Sequence, residues 1–125
     1  LNDDDLVAGI DYAGVQKAYP IKILVWHEAV NDEISGTPIL ITYCPLCGST
    51  LFFSRTFGDR VLTFGISGLL YQSDVLFYDH QTESLWSQLE MQAVTGPMIG
   101  QKLKILPYSL VTWKEWRTKY PWTLV

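Results

Sequence analysis

Short runs of β-branched and aromatic residues, each closed within a few positions by Gly, Pro, Asn or Asp, recur along the whole chain. A helix needs an apolar stripe held over several turns, whereas a strand needs only a brief run between two turn signals. This punctuation commits most of the chain to short antiparallel strands. Leu6 to Tyr12 and Val15 to Tyr19 flank Ala13-Gly14 as a first hairpin, ended by Pro20. A tight turn at Ser35-Gly36 leads into an apolar strand over Pro38 to Tyr43. Thr50 to Thr56 and Arg60 to Gly65, joined by Phe57-Gly58-Asp59, make the clearest hairpin. Asp74 to Tyr78 and Ser84 to Gln88 make a second around 79–83, and Met91 to Val94 and Lys102 to Leu106 flank Gly96-Pro97 and Gly100.

Two segments read as helical. Ile21 to Val30 carries apolar residues at 21, 24, 25 and 29 and is stopped by Asn31-Asp32. Ser109 is placed as the N-cap of a terminal helix through about Lys119, with Val111, Trp113 and Trp116 on its apolar side and Pro121 closing it. Trp113, Trp116 and Trp122 then pack the core and cap a barrel mouth. Gly65 and Gly68 mark a bulge or a close backbone approach. The expected fold is mainly β: an antiparallel curled sheet or small barrel with one or two short helices, an α+β arrangement being the alternative.

At 125 residues the chain fits a single domain, 1–125, able to bury roughly two-thirds of the surface of its unfolded form. Hydrophobic residues make up 48% and charged residues 18%, which excludes a disordered chain. The net charge is −4 and the nine Lys and Arg residues are dispersed, so nucleic acid is excluded as a partner. The apolar runs 39–41 and 23–26 fall far short of the roughly 20 residues a membrane helix needs. The sequence opens on Leu1 rather than Met and carries no basic-then-apolar leader, which reads as a processed or trimmed product.

Chemistry concentrates in Thr42-Tyr-Cys44-Pro-Leu-Cys47-Gly48-Ser-Thr50, which holds both cysteines of the chain. A bridge between them closes only a tiny loop, so their value is local: a metal knuckle, a thiol redox couple, or inert packing. A C-P-x-C-G turn points two sulfurs to one side, and Gly48 lets backbone N–H groups approach them. That is half of a tetrahedral metal site, and no second knuckle exists to complete an all-cysteine set. His27, in Trp26-His27-Glu28, is the natural third ligand, since the strand returning from Ser35-Gly36 brings Cys44 beside it. The competing reading makes His27 a hydrogen-bonded core residue and Glu28 an exposed charge rather than the carboxylate that orients His27. His80 lies in a polar loop, and Met91 and Met98 are soft ligands or packing residues. Two thiolates and an imidazole suit copper, or zinc as the alternative.

Val25-Trp-His-Glu28, Thr42-Tyr-Cys-Pro-Leu-Cys-Gly48, Phe64-Gly, Ser67-Gly-Leu-Leu-Tyr71, Ser73-Asp74 and Ser84-Leu-Trp-Ser-Gln88 follow one another in order. Together they resemble the prokaryotic family called Domain of Unknown Function 3179, from about residue 8 to the C-terminus. The resemblance lends no reaction. It implies a periplasmic or other extracytoplasmic setting, with a membrane anchor in the precursor, and it places His27, Cys44 and Cys47 within the family's motif segments. It also implies Arg where this chain has His80, which argues against a ligand role for that histidine.

The expectation is a metal-binding domain that holds copper or zinc through Cys44, Cys47 and His27, for metal handling or electron transfer with a protein partner. A thiol–disulfide oxidoreductase, with Cys44 as the more exposed nucleophile and Cys47 resolving, is the alternative, and a non-catalytic scaffold module the third.

Overall fold

Two turns set the strand registers from which the architecture follows. At Ala13-Gly14 the φ angles are 49° and 82°, and at Ser35-Gly36 they are 50° and 78°. Two consecutive positive values make the two-residue hairpin turn whose twist matches that of the strands it joins. The computed structural model describes residues 2–44, 49–71, 74–88 and 90–125.

The first turn joins β1 (Leu6–Tyr12) to β2 (Val15–Pro20), and α1 (Ile21–Leu24) follows. The second joins β3 (Ala29–Ile34) to β4 (Thr37–Cys44), and β4 pairs in turn with β5 (Ser49–Ser54). A small ribbon of β6 (Thr56–Phe57) and β7 (Arg60–Val61) leads to β8 (Phe64–Tyr71) and β9 (Asp74–Asp79). Then come β10 (Leu85–Ser87), β11 (Gln92–Thr95), β12 (Lys104–Leu106), β13 (Ser109–Thr112) and α2 (Trp113–Lys119). All ladders between these strands are antiparallel, in the orders β13-β1-β2, β12-β5-β4-β3 and β11-β10-β9-β8 besides the ribbon. The mainly β fold with two short helices is as the sequence predicts.

The β12-β5-β4-β3 sheet is central, because alternate residues of β4 and β5 feed two different cores. Ile39, Ile41 and Phe52 pack with Ala8, Ile10 and Tyr19 of the β1–β2 hairpin and with Leu24 of α1. Leu40 and Phe53 point the other way, onto Phe64, Phe77, Trp86 and Ala93 of the third sheet. A third cluster of Val7, Ala18 and Trp116 lies under α2, on the outer face of the first sheet. The order of layers is therefore α2, first sheet, central sheet, third sheet.

The described strands form no closed barrel. The central and third sheets instead meet at two seams. At one, the 101–106 segment serves both: Leu103 N–H donates to Met91 O (2.7 Å) and Ala93 N–H to Gln101 O (2.9 Å), after which β12 pairs with β5. At the other, the Asn31 side chain does the work of a strand neighbour. Its Nδ2 donates to Phe64 O and its Oδ1 accepts from Phe64 N–H, both at 2.8 Å.

Asn31 and Asp32 were expected to stop a helix over 21–30. Instead α1 ends at Leu24, and Asn31 and Asp32 lie within β3, because six residues there pair with β4 and both polar side chains are employed. The Asp32 carboxylate accepts from Lys17 Nζ (2.6 Å) and Tyr19 OH (2.5 Å), tying the first sheet to the central one. Burial alone would raise its pKa, but these donors and the Glu33 N–H hold it below the ordinary carboxylate value. Arg55, 8% exposed, spends its guanidinium on the carbonyls of Ile39 (2.7 Å), Leu62 (3.0 Å) and Asp32 (2.6 Å).

The terminal helix also starts later than expected. Ser109 to Thr112 pairs with β1, and Thr112 is the N-cap: its Oγ1 accepts from Glu115 N–H while the Glu115 carboxylate takes the Thr112 N–H. Trp116 is buried and Trp113 half-buried, but Trp122 is 87% exposed and caps nothing. The β8–β9 ladder shifts register between Ile66 and Leu70, the irregularity expected near Gly65 and Gly68.

Candidate functional site

Strand β4 keeps its pairing with β5 to its last residue, Cys44, which stands opposite Ser49. Cys44 therefore stands at the end of the ladder formed by the two central strands. Cys44 has no exposed surface and is an unbridged thiol. Side chains two apart on a strand share a face, so Cys44 follows Leu40 and Thr42 on the side turned toward the third sheet. Cys47 lies outside the described residues.

Two buried polar side chains meet just inside this end. Gln88, the residue after β10, donates from Nε2 to Thr42 Oγ1 at 2.8 Å, and Thr42 in turn donates to Leu51 O at 3.3 Å. Neither Gln88 nor Thr42 has exposed surface. Leu51 is the β5 partner of Thr42, so the chain of donors runs from the third sheet into the ladder that carries Cys44. Gln88 also begins a turn, its carbonyl accepting from Met91 N–H at 3.2 Å.

His27 is not helical but lies in the connection from α1 to β3. The Tyr43 N–H donates to Glu28 O at 2.8 Å, extending the β3–β4 pairing one step past Ala29 and Thr42. His27 itself bonds back toward α1, its N–H donating to Ile23 O at 3.1 Å. Trp26, at 82% exposure, and His27 are both open to solvent, which overturns the reading of His27 as a core residue. The burial of Cys44 likewise removes it as an exposed attacking thiol, because thiol–disulfide exchange needs a sulfur that the partner disulfide can reach.

The remaining candidates are structural. His80 is exposed in its turn, with Nδ1 2.9 Å from Thr63 Oγ1. Met91 and Met98 pack against the core between the central and third sheets. Among the described residues no three His, Cys, Asp or Glu side chains are grouped closely enough to hold a metal ion. No described helix is long and apolar enough to cross a membrane.

The family described as protein of unknown function (DUF3179) matches residues 1–125. The chain belongs to that family. No curated protein and no solved structure matches it. Within this DUF3179 chain, the sequence reading singled out Cys44 and His27 but missed Thr42 and Gln88. They are 46 positions apart, and only the packing of one sheet on another joins them. The one available signal was a polar residue at the end of an otherwise well-formed strand, Ser84 to Gln88.

Proposed function

We propose that this chain binds a soft metal ion, copper in preference to zinc, through Cys44, Cys47 and His27, and serves metal handling or electron transfer in an extracytoplasmic setting. The observation that carries the reading is the position of Cys44. It is the last residue of β4 and pairs with Ser49 of β5, so its backbone is fixed at the end of a ladder. A metal knuckle needs that rigidity, because two sulfurs must be offered to one point. His27 lies in the connection that leads into β3, and the bond from Tyr43 N–H to the Glu28 carbonyl ties that connection to β4 one residue before Cys44. Two thiolates and one imidazole form a soft donor set that leaves a coordination position for a ligand from a partner protein.

The test is elemental analysis of protein purified without chelator, paired with a thiol count before and after metal removal. The expected result is about one copper or zinc per chain, thiols that react only after stripping, and loss of metal in Cys44→Ser and His27→Ala. Metal-free wild-type protein with freely reactive thiols or a Cys44–Cys47 disulfide would falsify the proposal.

A further inference from the structure

A small recess lies on the outer face of the first sheet, beside the end of α2. Gly9 and Asp11 of β1, the 107–109 segment, Trp116 and Tyr120 line it, and its volume is about 130 Å³. Gly9 and Asp11 are two apart on their strand, so they share the face on which Val7 meets Trp116. The recess has room for about four waters at roughly 30 Å³ each. That is well below the roughly 300–1,000 Å³ that encloses a drug-sized ligand, so the occupant is a single head group.

Two features select the chemistry of that group. The first is Asp11, which is exposed and forms no ion pair among the described residues. Its Oδ1 accepts from Gln16 Nε2 at 2.9 Å and its Oδ2 from the Tyr120 hydroxyl at a long 3.4 Å, so its charge meets only neutral donors. The second is the aromatic pair. The Trp116 and Tyr120 rings lie 4.6 Å apart with their planes inclined at 53°, Trp116 buried and Tyr120 half-buried. The Tyr120 ring already attracts a cation, since Lys119 Nζ is 5.4 Å from its centroid. Lys119 lines the adjoining recess with Val111 and Glu115 and is not part of this one. A calcium or magnesium ion needs several oxygen ligands, and one carboxylate falls short. A weakly hydrated organic cation gains from the carboxylate and the rings together.

We propose that this recess binds a quaternary ammonium head group, with Asp11 balancing its charge and the Tyr120 and Trp116 rings receiving its methyl groups. It lies on the face of the first sheet turned away from the central sheet, whereas Cys44 is in the central sheet, so the proposal does not depend on the metal-binding reading.

The experiment titrates tetramethylammonium chloride into the full chain at constant ionic strength, followed by proton–nitrogen correlation NMR. Saturable shifts are expected at the Gly9 and Asp11 amides and the Trp116 indole N–H, and none with sodium chloride or neutral tert-butanol. Tyr120→Leu should weaken binding by about 2–30-fold, the range of a cation–π contact. Asp11→Asn keeps the shape, removes the charge and should weaken it by about fivefold or more, the value of a charge pair at 4 Å in water. Tyr120→Phe keeps the ring and should retain binding. Should Tyr120→Leu fail to fold, Asp11→Asn alone carries the expectation. The same shifts with free choline identify a soluble amine, and sedimentation with phosphatidylcholine but not phosphatidylglycerol vesicles identifies a lipid head group; either supports the site. Absence of saturable shifts, equal shifts with tert-butanol, or wild-type affinity in Asp11→Asn overturns the proposal.

Discussion

A single methyl group on Gly9 tests the layer order directly. A Cβ there would lie 2.4, 2.5 and 2.6 Å from ring carbons of Trp116, against the 3.5–4.0 Å of an ordinary carbon contact. One of the two must retreat by about 1 Å, and neither is free to do so. Gly9 is paired on both sides, with Ala18 of β2 and Ser109 of β13. Trp116 is held by Val7 and Ala18, by the Tyr120 ring at 4.6 Å, and by its own Nε1 donating to Thr123 Oγ1 at 2.7 Å. Overpacking of a tight core costs about 1–3 kcal/mol, and a site clamped from both directions belongs at the upper end. Gly9→Ala should then lower the melting temperature by about 10 °C, at about 4 °C per kcal/mol for a domain of this size. Chemical and thermal unfolding followed by far-ultraviolet circular dichroism give the value. Trp116→Leu removes the ring, so the double variant should be about 1–2 kcal/mol more stable than the sum of the single losses. A loss below about 0.5 kcal/mol in Gly9→Ala, or strict additivity with Trp116→Leu, would refute the close packing of α2 on the first sheet.

Two further substitutions probe the third sheet. Asp79 has no exposed surface, and its carboxylate accepts from Trp86 Nε1 (2.9 Å), Thr82 N–H and Thr82 Oγ1. Burial works to raise its pKa, but these donors prevail and hold it below the ordinary 3.8. Asp79→Asn sets an amide against the indole donor and should cost about 2–3 kcal/mol at neutral pH in chemical denaturation. A depressed folded-state pKa stabilises above the ordinary value and loses that contribution as acid carries the pH down through it. The difference between wild type and Asn variant should therefore be constant from neutrality to about pH 5 and shrink below 3.8; a difference that does not change with pH would count against an ionised Asp79. Asn31→Ala removes both bonds at the β3–β8 seam and should cost about 1–2 kcal/mol in the same assay, while a neutral outcome would mean that water replaces the amide.

The parts legible in the sequence are those decided by a few adjacent residues. Ala13-Gly14 and Ser35-Gly36 announce their turns because a two-residue hairpin demands two positive φ values, which Gly tolerates and a small preceding residue permits. Failures came where distant partners decide. Asn31 and Asp32 look like helix stops, yet the backbone of Phe64 and the side chains of Lys17 and Tyr19 give them places in a strand. The start of α2 was misplaced although the signal was present: Thr112-Trp-Lys-Glu115 is a capping box, and Ser109 lacks the acidic residue three positions on. Nothing local pairs Thr42 with Gln88, so the inner wall of the candidate site became visible only once two sheets were stacked.

Strands β4 and β5 have a paired neighbour along both edges and a hydrophobic cluster against both faces. Local opening draws on regions with few buried contacts, and these two strands are the opposite case. Their amides should be among the slowest in the domain to exchange hydrogen with solvent. Cys44, as the last residue of β4, is therefore fastened to the part of the domain expected to loosen last.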